Sequence, residues 1–170
     1  MAIEIERKFL VVSDGWRTTD GMLYRQGYLN RDKMRTVRVR QAGDQAFLTI
    51  KGKTTGISRT EFEYPIPVND AEELLALCDG TLIEKIRHKI VYAGLTWEID
   101  EFLGDNAGLV VAEVELTSAE QAIELPTWVG VEVSNDPKYY NSNLSTNPFL
   151  SWQAMDEERM LERSSLAGIA

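Results

Sequence analysis

A chain of 170 residues, 44% hydrophobic and 26% charged, suffices for one compact domain, is short for two, and is too apolar to stay disordered. No apolar run approaches the roughly 20 residues that span a bilayer, and the opening MAIEIERKFL puts charges where a signal peptide carries its apolar segment, so a cytoplasmic protein is expected. Acids outnumber bases 27 to 18, a formal net charge of -9, which argues against duplex nucleic acid or a membrane surface as partner.

In chain order, period-two alternation predicts strands over 3–11, 22–30, 36–40, 47–53 and 59–64, with the pattern weakest at 22–30. Asp70, followed at the third position by Glu73, predicts an N-cap and a short helix through Leu77. The helix carries the run EELLALC, where the single cysteine, Cys78, reads as a packing residue. Strands follow over 82–90, 97–102 and 109–116. Thr117 and Glu120 repeat the capping spacing for a second helix that Pro126 would stop, and Asn147 before Pro148 predicts a C-terminal helix over about 147–165. Gly-containing breaks such as AGDQ and YAGL sit at hairpin distances, so antiparallel pairing is expected. The result is an α+β chain, read as a single domain over 1–170 with no dividing linker or repeat.

Sorting the strands by parity separates charge from hydrocarbon. Glu4, Glu6 and Lys8 share one face of the first strand, and Ile3, Ile5 and Phe9 the other. Arg38 and Arg40, Lys51 and Lys53, and Lys85 and Arg87 likewise oppose apolar neighbours. So do Glu61 and Glu63 with Arg59, Glu98 with Asp100, and Glu113 with Glu115. An antiparallel sheet with one wet face produces the same alternation. A wet face, however, gains from mixed signs, whereas same-face neighbours here, about 6.6 Å apart, repeatedly carry like charge. Clustered Lys and Arg suit a polyanion, and clustered carboxylates supply the oxygen donors that Mg²⁺ or Mn²⁺ prefers. A triphosphate bound with its metal needs both.

Glu4-Ile5-Glu6-Arg7-Lys8 matches the ExExK motif that opens the CYTH family, the triphosphate tunnel metalloenzymes. The later segments agree in order: RVR at Arg38, TIKGK from Thr49, RTEFE from Arg59, KIR from Lys85, WEIDEF from Trp97 and AEVEL from Ala112, with KYYNSNL near Tyr139. The resemblance implies an eight-stranded antiparallel β-barrel with a charged interior and flanking helices, inverting the usual burial of strands. By the same likeness, Glu4, Glu6, Asp100, Glu113 and Glu115 fall at metal-ligating positions. Glu61, Glu63 and Glu98 are either further ligands or partners that hold Lys and Arg. Lys8, Arg38, Arg40, Lys51, Lys53, Lys85 and Arg87, with Arg59 as an addition, fall at phosphate-binding positions.

The implied chemistry is phosphoryl transfer with two divalent ions, Mg²⁺ or Mn²⁺, and hydrolysis of a triphosphate, above all inorganic tripolyphosphate. Tyr28 and Lys85 are the candidates for handling the water's proton, Tyr28 being equally readable as a packing residue at the barrel end. The family also holds class IV adenylate cyclases and nucleoside or thiamine triphosphatases, which stand as alternatives. Beyond a small triphosphate, a homodimer is compatible with the sequence. His88 reads as structural or solvent-facing. Trp128, Trp152 and Tyr140 read as core residues or as the lining of a mouth. Phe149, Trp152 and Met155 would lie along one side of the C-terminal helix, covering a barrel end.

Overall fold

A computed structural model describes residues 3–17 and 20–152 of the chain. The strands are β1 (Ile3–Val11), β2 (Met22–Asn30), β3 (Arg35–Ala42), β4 (Gln45–Gly52), β5 (Ser58–Ile66), β6 (Asp79–Tyr92), β7 (Leu95–Phe102), β8 (Val110–Glu115) and β9 (Val129–Glu132). Two helices interrupt or follow them, α1 (Val68–Ala76) and α2 (Asn141–Leu144). Neighbours pair antiparallel in the order β5-β4-β3-β2-β6-β7-β8-β1, and β5 returns to β1, closing an eight-stranded barrel. All eight strands expected from alternation are present, including the faint one at 22–30.

β1 is shared on one edge. Its first residues pair with β5 through Ile3↔Thr60, Glu4↔Arg59 and Ile5↔Ser58, whereas Phe9 and Val11 pair with β9. Its other edge pairs with β8 from Glu6↔Glu115 to Leu10↔Val111. The ninth strand was not visible as alternation because it spans four residues only, Val-Gly-Val-Glu.

The hydrocarbon sits outside the barrel. Phe9, Trp97, Ile99, Ala112 and Val114 point out from β1, β7 and β8 and are covered by Trp16 and Trp128. Trp97 is fully buried, 5.6 Å from Phe9 and edge-on to Trp128 at 5.7 Å. Val39 and Ala46 form a second cluster under Ala71 and Leu75 of α1. A third gathers Ile83, Phe102, Leu109 and Val111 around Leu144 of α2. Burying a side chain of this size contributes about 1.5–3 kcal/mol, so these outer clusters, not the interior, hold the barrel together. The cover is incomplete on β5, where Phe62 and Tyr64 stay about half exposed. His88 is buried against Trp16, with ring centroids 4.9 Å apart, on the outer side of β6.

The helices depart from expectation at their starts. Helix α1 begins at Val68 after Pro67, whose fixed extended backbone makes the cap, and no side chain caps it; Asp70 lies inside the first turn. No helix forms after Thr117. There the Thr117 amide and hydroxyl both donate to Gln121 Oε1, at 2.7 and 2.9 Å, so the hydroxyl is spent as a donor and a turn replaces the helix. The chain then runs irregularly until Trp128 enters the core. At the C-terminus a helix begins at Phe149, whose amide donates to Asn106 Oδ1 at 2.9 Å. The rest of that expected helix, with Met155, lies outside the described residues.

Candidate functional site

Most of the charged parity residues point inward. They line a cavity of about 310 Å³ within the barrel, where seven carboxylates meet eight cations. This wall is near-neutral in sum but divided in space. Glu4, Glu6, Glu113 and Glu115 stand on the adjacent strands β1 and β8, while Arg38, Arg40, Lys85 and Arg87 stand on β3 and β6.

Most cations are held by acids. Lys85 Nζ lies 2.7 Å from Asp100 Oδ2, and Arg87 reaches Asp100 Oδ1 at 2.7 Å and Glu98 at 2.6 Å. Asp100 is 2% exposed. Burial alone would raise its pKa, but Arg87 first and Lys85 second hold it far below the ordinary carboxylate range. Lys8 sits 3.4 Å from Glu113, and despite burial that cation draws Glu113 down to about 2. Lys51 bridges Glu4 at 2.9 Å and Glu61 at 3.1 Å. Arg38 donates to Thr49 Oγ1, which donates on to Glu63, and its guanidinium is 3.7 Å from that carboxylate. Arg59 spends two donors on the Gly52 carbonyl, tying β5 to the end of β4.

Glu6 and Glu115 differ from all of these. They face each other across β1 and β8, and neither has an ion-pair partner among the described residues. Burial, then Glu113 and Glu4, push Glu6 up to about 8, and burial, then Glu4 and Glu98, raise Glu115. Among the described residues no three acidic or histidine groups are gathered into a finished cage. A small hard ion such as Mg²⁺ takes oxygen donors, often only one or two of them carboxylates. Glu6 and Glu115, with Glu4 beside them, are the donors that fit.

The structure brings together Glu4, Glu6, Lys8, Arg38, Arg40, Lys51, Arg59, Glu61, Glu63, Lys85, Arg87, Glu98, Glu113 and Glu115, together with Tyr28, around one cavity. Asp100 stands behind Lys85 and Arg87, occupied by both. Lys53 falls beyond the last residue of β4, exposed and away from the cavity wall. Burial of Lys85, reinforced by Arg87 and Arg40 against the pull of Asp100, lowers its amine to about 7. Tyr28 is buried and its side of β2 faces the same space.

Sequence reasoning missed Lys89, Tyr24, Thr36 and Thr49 on the wall, and Ser134, Asn141 and Ser142 from the chain beyond β8. Lys89, Thr36 and Thr49 share parity with their charged neighbours and were open to the same sorting; the residues after β8 carry no periodic signal. Tyr140 lines the cavity, with Lys8 Nζ 5.6 Å from its ring centroid, whereas Trp128 is core and Trp152 packs edge-on to Tyr139 and Phe149.

Comparison with known proteins shows the family. The CYTH domain model matches residues 2–146. An inorganic triphosphatase of Acetivibrio thermocellus is 50% identical over 155 residues, covering 90% of this chain and 99% of its own. One of Nitrosomonas europaea is 39% identical over 151 residues, covering 84% and 96%. The crystal structure of the inorganic triphosphatase NE1496 superposes with a TM-score of 0.63 at 35% identity, covering 85% of this chain and 95% of that one. A barrel that turns its charges inward, a divided acid and base wall, and these likenesses together place the chain in the CYTH family.

Proposed function

We propose that this protein is a divalent-metal-dependent hydrolase of triphosphates, acting on inorganic tripolyphosphate and releasing orthophosphate and pyrophosphate. The observation that carries the reading is Glu6 and Glu115, without an ion-pair partner among the described residues, lining one cavity with a wall of cations. A linear polyanion that brings a metal ion with it satisfies both walls at once.

Arg38, Arg40, Lys8, Lys51, Lys85 and Arg87 would grip phosphate oxygens, and their fixed positions stabilise the charge that shifts toward the departing pyrophosphate. Glu6 and Glu115, with Glu4 and Glu113 nearby, would hold Mg²⁺ or Mn²⁺, which supplies charge neutralisation and acidifies water when bound. Water attacks the terminal phosphorus, the bond from that phosphorus to the bridging oxygen breaks, and the water's proton needs an acceptor. Lys85, with its amine near 7, is the better placed acceptor, and Tyr28 is the second candidate. Asp100 acts through Lys85 and Arg87, fixing both side chains.

Two tunnel tyrosines favour inorganic substrate over a nucleotide. Arg40 and Arg87 lie 5.0 and 4.8 Å from the Tyr24 ring, and Lys8 occupies Tyr140, so cations take faces on which a base would stack. No helix among the described residues is long and apolar enough to cross a membrane. We place the enzyme in the cytoplasm as one domain, where Mg²⁺ is at hand and the unpaired thiol of Cys78 stays reduced.

The test is product release from tripolyphosphate, ATP, GTP and thiamine triphosphate, each with Mg²⁺ and with Mn²⁺. Orthophosphate from tripolyphosphate at the highest kcat/KM is the expected result. Cyclic AMP with pyrophosphate from ATP, or tight binding with no turnover under either metal, overturns the reading.

A further inference from the structure

One arginine on the tunnel wall is steered by a side-chain amide and not by a carboxylate. Lys8, Arg38, Lys51 and Arg87 each lie within 4.0 Å of a carboxylate, but Arg40 has none among the described residues. Its Nε donates instead to Gln26 Oε1 at 2.8 Å. Gln26 is fully buried, and its Nε2 donates to Asn141 Oδ1 at 3.1 Å. The same oxygen accepts Lys85 Nζ at 3.0 Å.

The orientation of this chain of amides is forced. Arginine and a lysine ammonium can only donate, so Gln26 must turn its oxygen to Arg40 and its nitrogen to Asn141, and Asn141 must turn its oxygen to both Gln26 and Lys85. Either amide flipped would set donor against donor. Asn141 is itself fixed from behind. Leu144, one turn along α2, is fully buried against Ile83 and Phe102, and Thr81 of β6 donates to the Ser145 carbonyl at 3.0 Å. Gly80 makes that approach feasible: its φ is +73°, and a Cβ there would fall 2.8 Å from the Ser145 oxygen.

We propose that Asn141 is a positioning residue of the tunnel, whose one carbonyl oxygen aims the Lys85 ammonium directly and the Arg40 guanidinium through Gln26, without adding negative charge. This rests on the triphosphatase reading above. Neutrality is the point of the arrangement. Lys85 already carries Asp100, and a second acid would cancel its attraction for phosphate. Arg40, steered by a neutral amide, keeps its whole charge for the substrate. The segment after β8 is therefore part of the active site and not only a cover for the barrel.

Steady-state kinetics on tripolyphosphate with Mg²⁺ test this in Asn141→Asp, Asn141→Ala, Gln26→Ala and the double alanine variant. Asn141→Asp keeps the shape and both accepted hydrogen bonds while adding the charge that the neutral amide avoids. The expected result is a KM raised about tenfold with an unfolding midpoint close to wild type, because the added acid faces a polyanion. Asn141→Ala should lower kcat about tenfold by releasing the Lys85 amine. Adding Gln26→Ala should then cost little more, since the two side chains act as one unit. Wild-type KM in Asn141→Asp overturns the proposal even if the alanine variant fails to fold, as does full additivity of the two alanine changes. Wild-type protein that leaves tripolyphosphate intact defeats the functional reading itself; active wild type with unaltered variants defeats this inference alone.

Discussion

The two walls of the tunnel are built to different degrees of completion. On β3 and β6 the cations are locked: Arg87 and Lys85 share Asp100, Arg38 rests on Thr49 and Glu63, and Arg40 on Gln26. On β1 and β8, Glu6 and Glu115 are crowded by other acids and held by no base among the described residues. The cationic wall is preorganised at the cost of partial neutralisation, whereas on the acidic wall burial and then like-charge repulsion oppose the ionised carboxyls, a stored penalty that a proton or an added cation relieves. Folding thus finishes one half of the site and leaves the other for a ligand to finish.

The largest effect should come from breaking the finished wall. Asp100→Asn strips the shared partner from two buried cations and should cost about 3–5 kcal/mol in urea unfolding. A loss under 1 kcal/mol would mean that Lys85 and Arg87 do not depend on it. Next, Glu6→Gln should lower tripolyphosphate turnover at least about 100-fold while leaving the fold intact. Its stability should move the opposite way. A carboxyl whose folded pKa lies near 8, above its ordinary 4.5, carries no penalty below 4.5, and destabilises increasingly as pH rises toward 8. In metal-free buffer the Glu6→Gln variant should therefore melt above wild type at pH 8, the gap closing as pH falls toward 4.5. A gap that widens on acidification would refute the stored repulsion. Thr49→Val removes the hydroxyl between Arg38 and Glu63 and should cost about 1 kcal/mol, with a small rise in KM. Smallest of all, Lys53→Ala should change unfolding by no more than about 0.5 kcal/mol and activity far less than Lys51→Ala, since Lys53 is exposed beyond the strand.

Parity in the sequence separated the two faces, because a closed barrel preserves period two from end to end, and the CYTH resemblance turned the charged one inward. It could not report depth or strand ends. Glu98 and Asp100 share a face, yet only Asp100 is sealed behind Arg87 and Lys85. Lys53 continues the register of Lys51 on paper, but β4 stops at Gly52, and beyond it parity has no meaning. Gln26 and Asn141 were illegible for another reason: both are uncharged, and Asn141 reaches the site from a segment whose position depends on Leu144 filling a hole among Ile83, Phe102 and Leu109. The outer face was read as covered by helices, and most of it is covered, although by Trp16 and Trp128 on irregular chain as much as by α1. The expected cap at Thr117 failed because a threonine hydroxyl donates as readily as it accepts, and Gln121 was within reach.

The strand that opens the chain is also the one that closes the ring. During synthesis Glu4 and Glu6 of β1 precede β8, which carries Glu113 and Glu115, by about a hundred residues, and β9 follows later still. The acidic face is thus a contact of high sequence separation, formed only when two distant strands of the barrel meet.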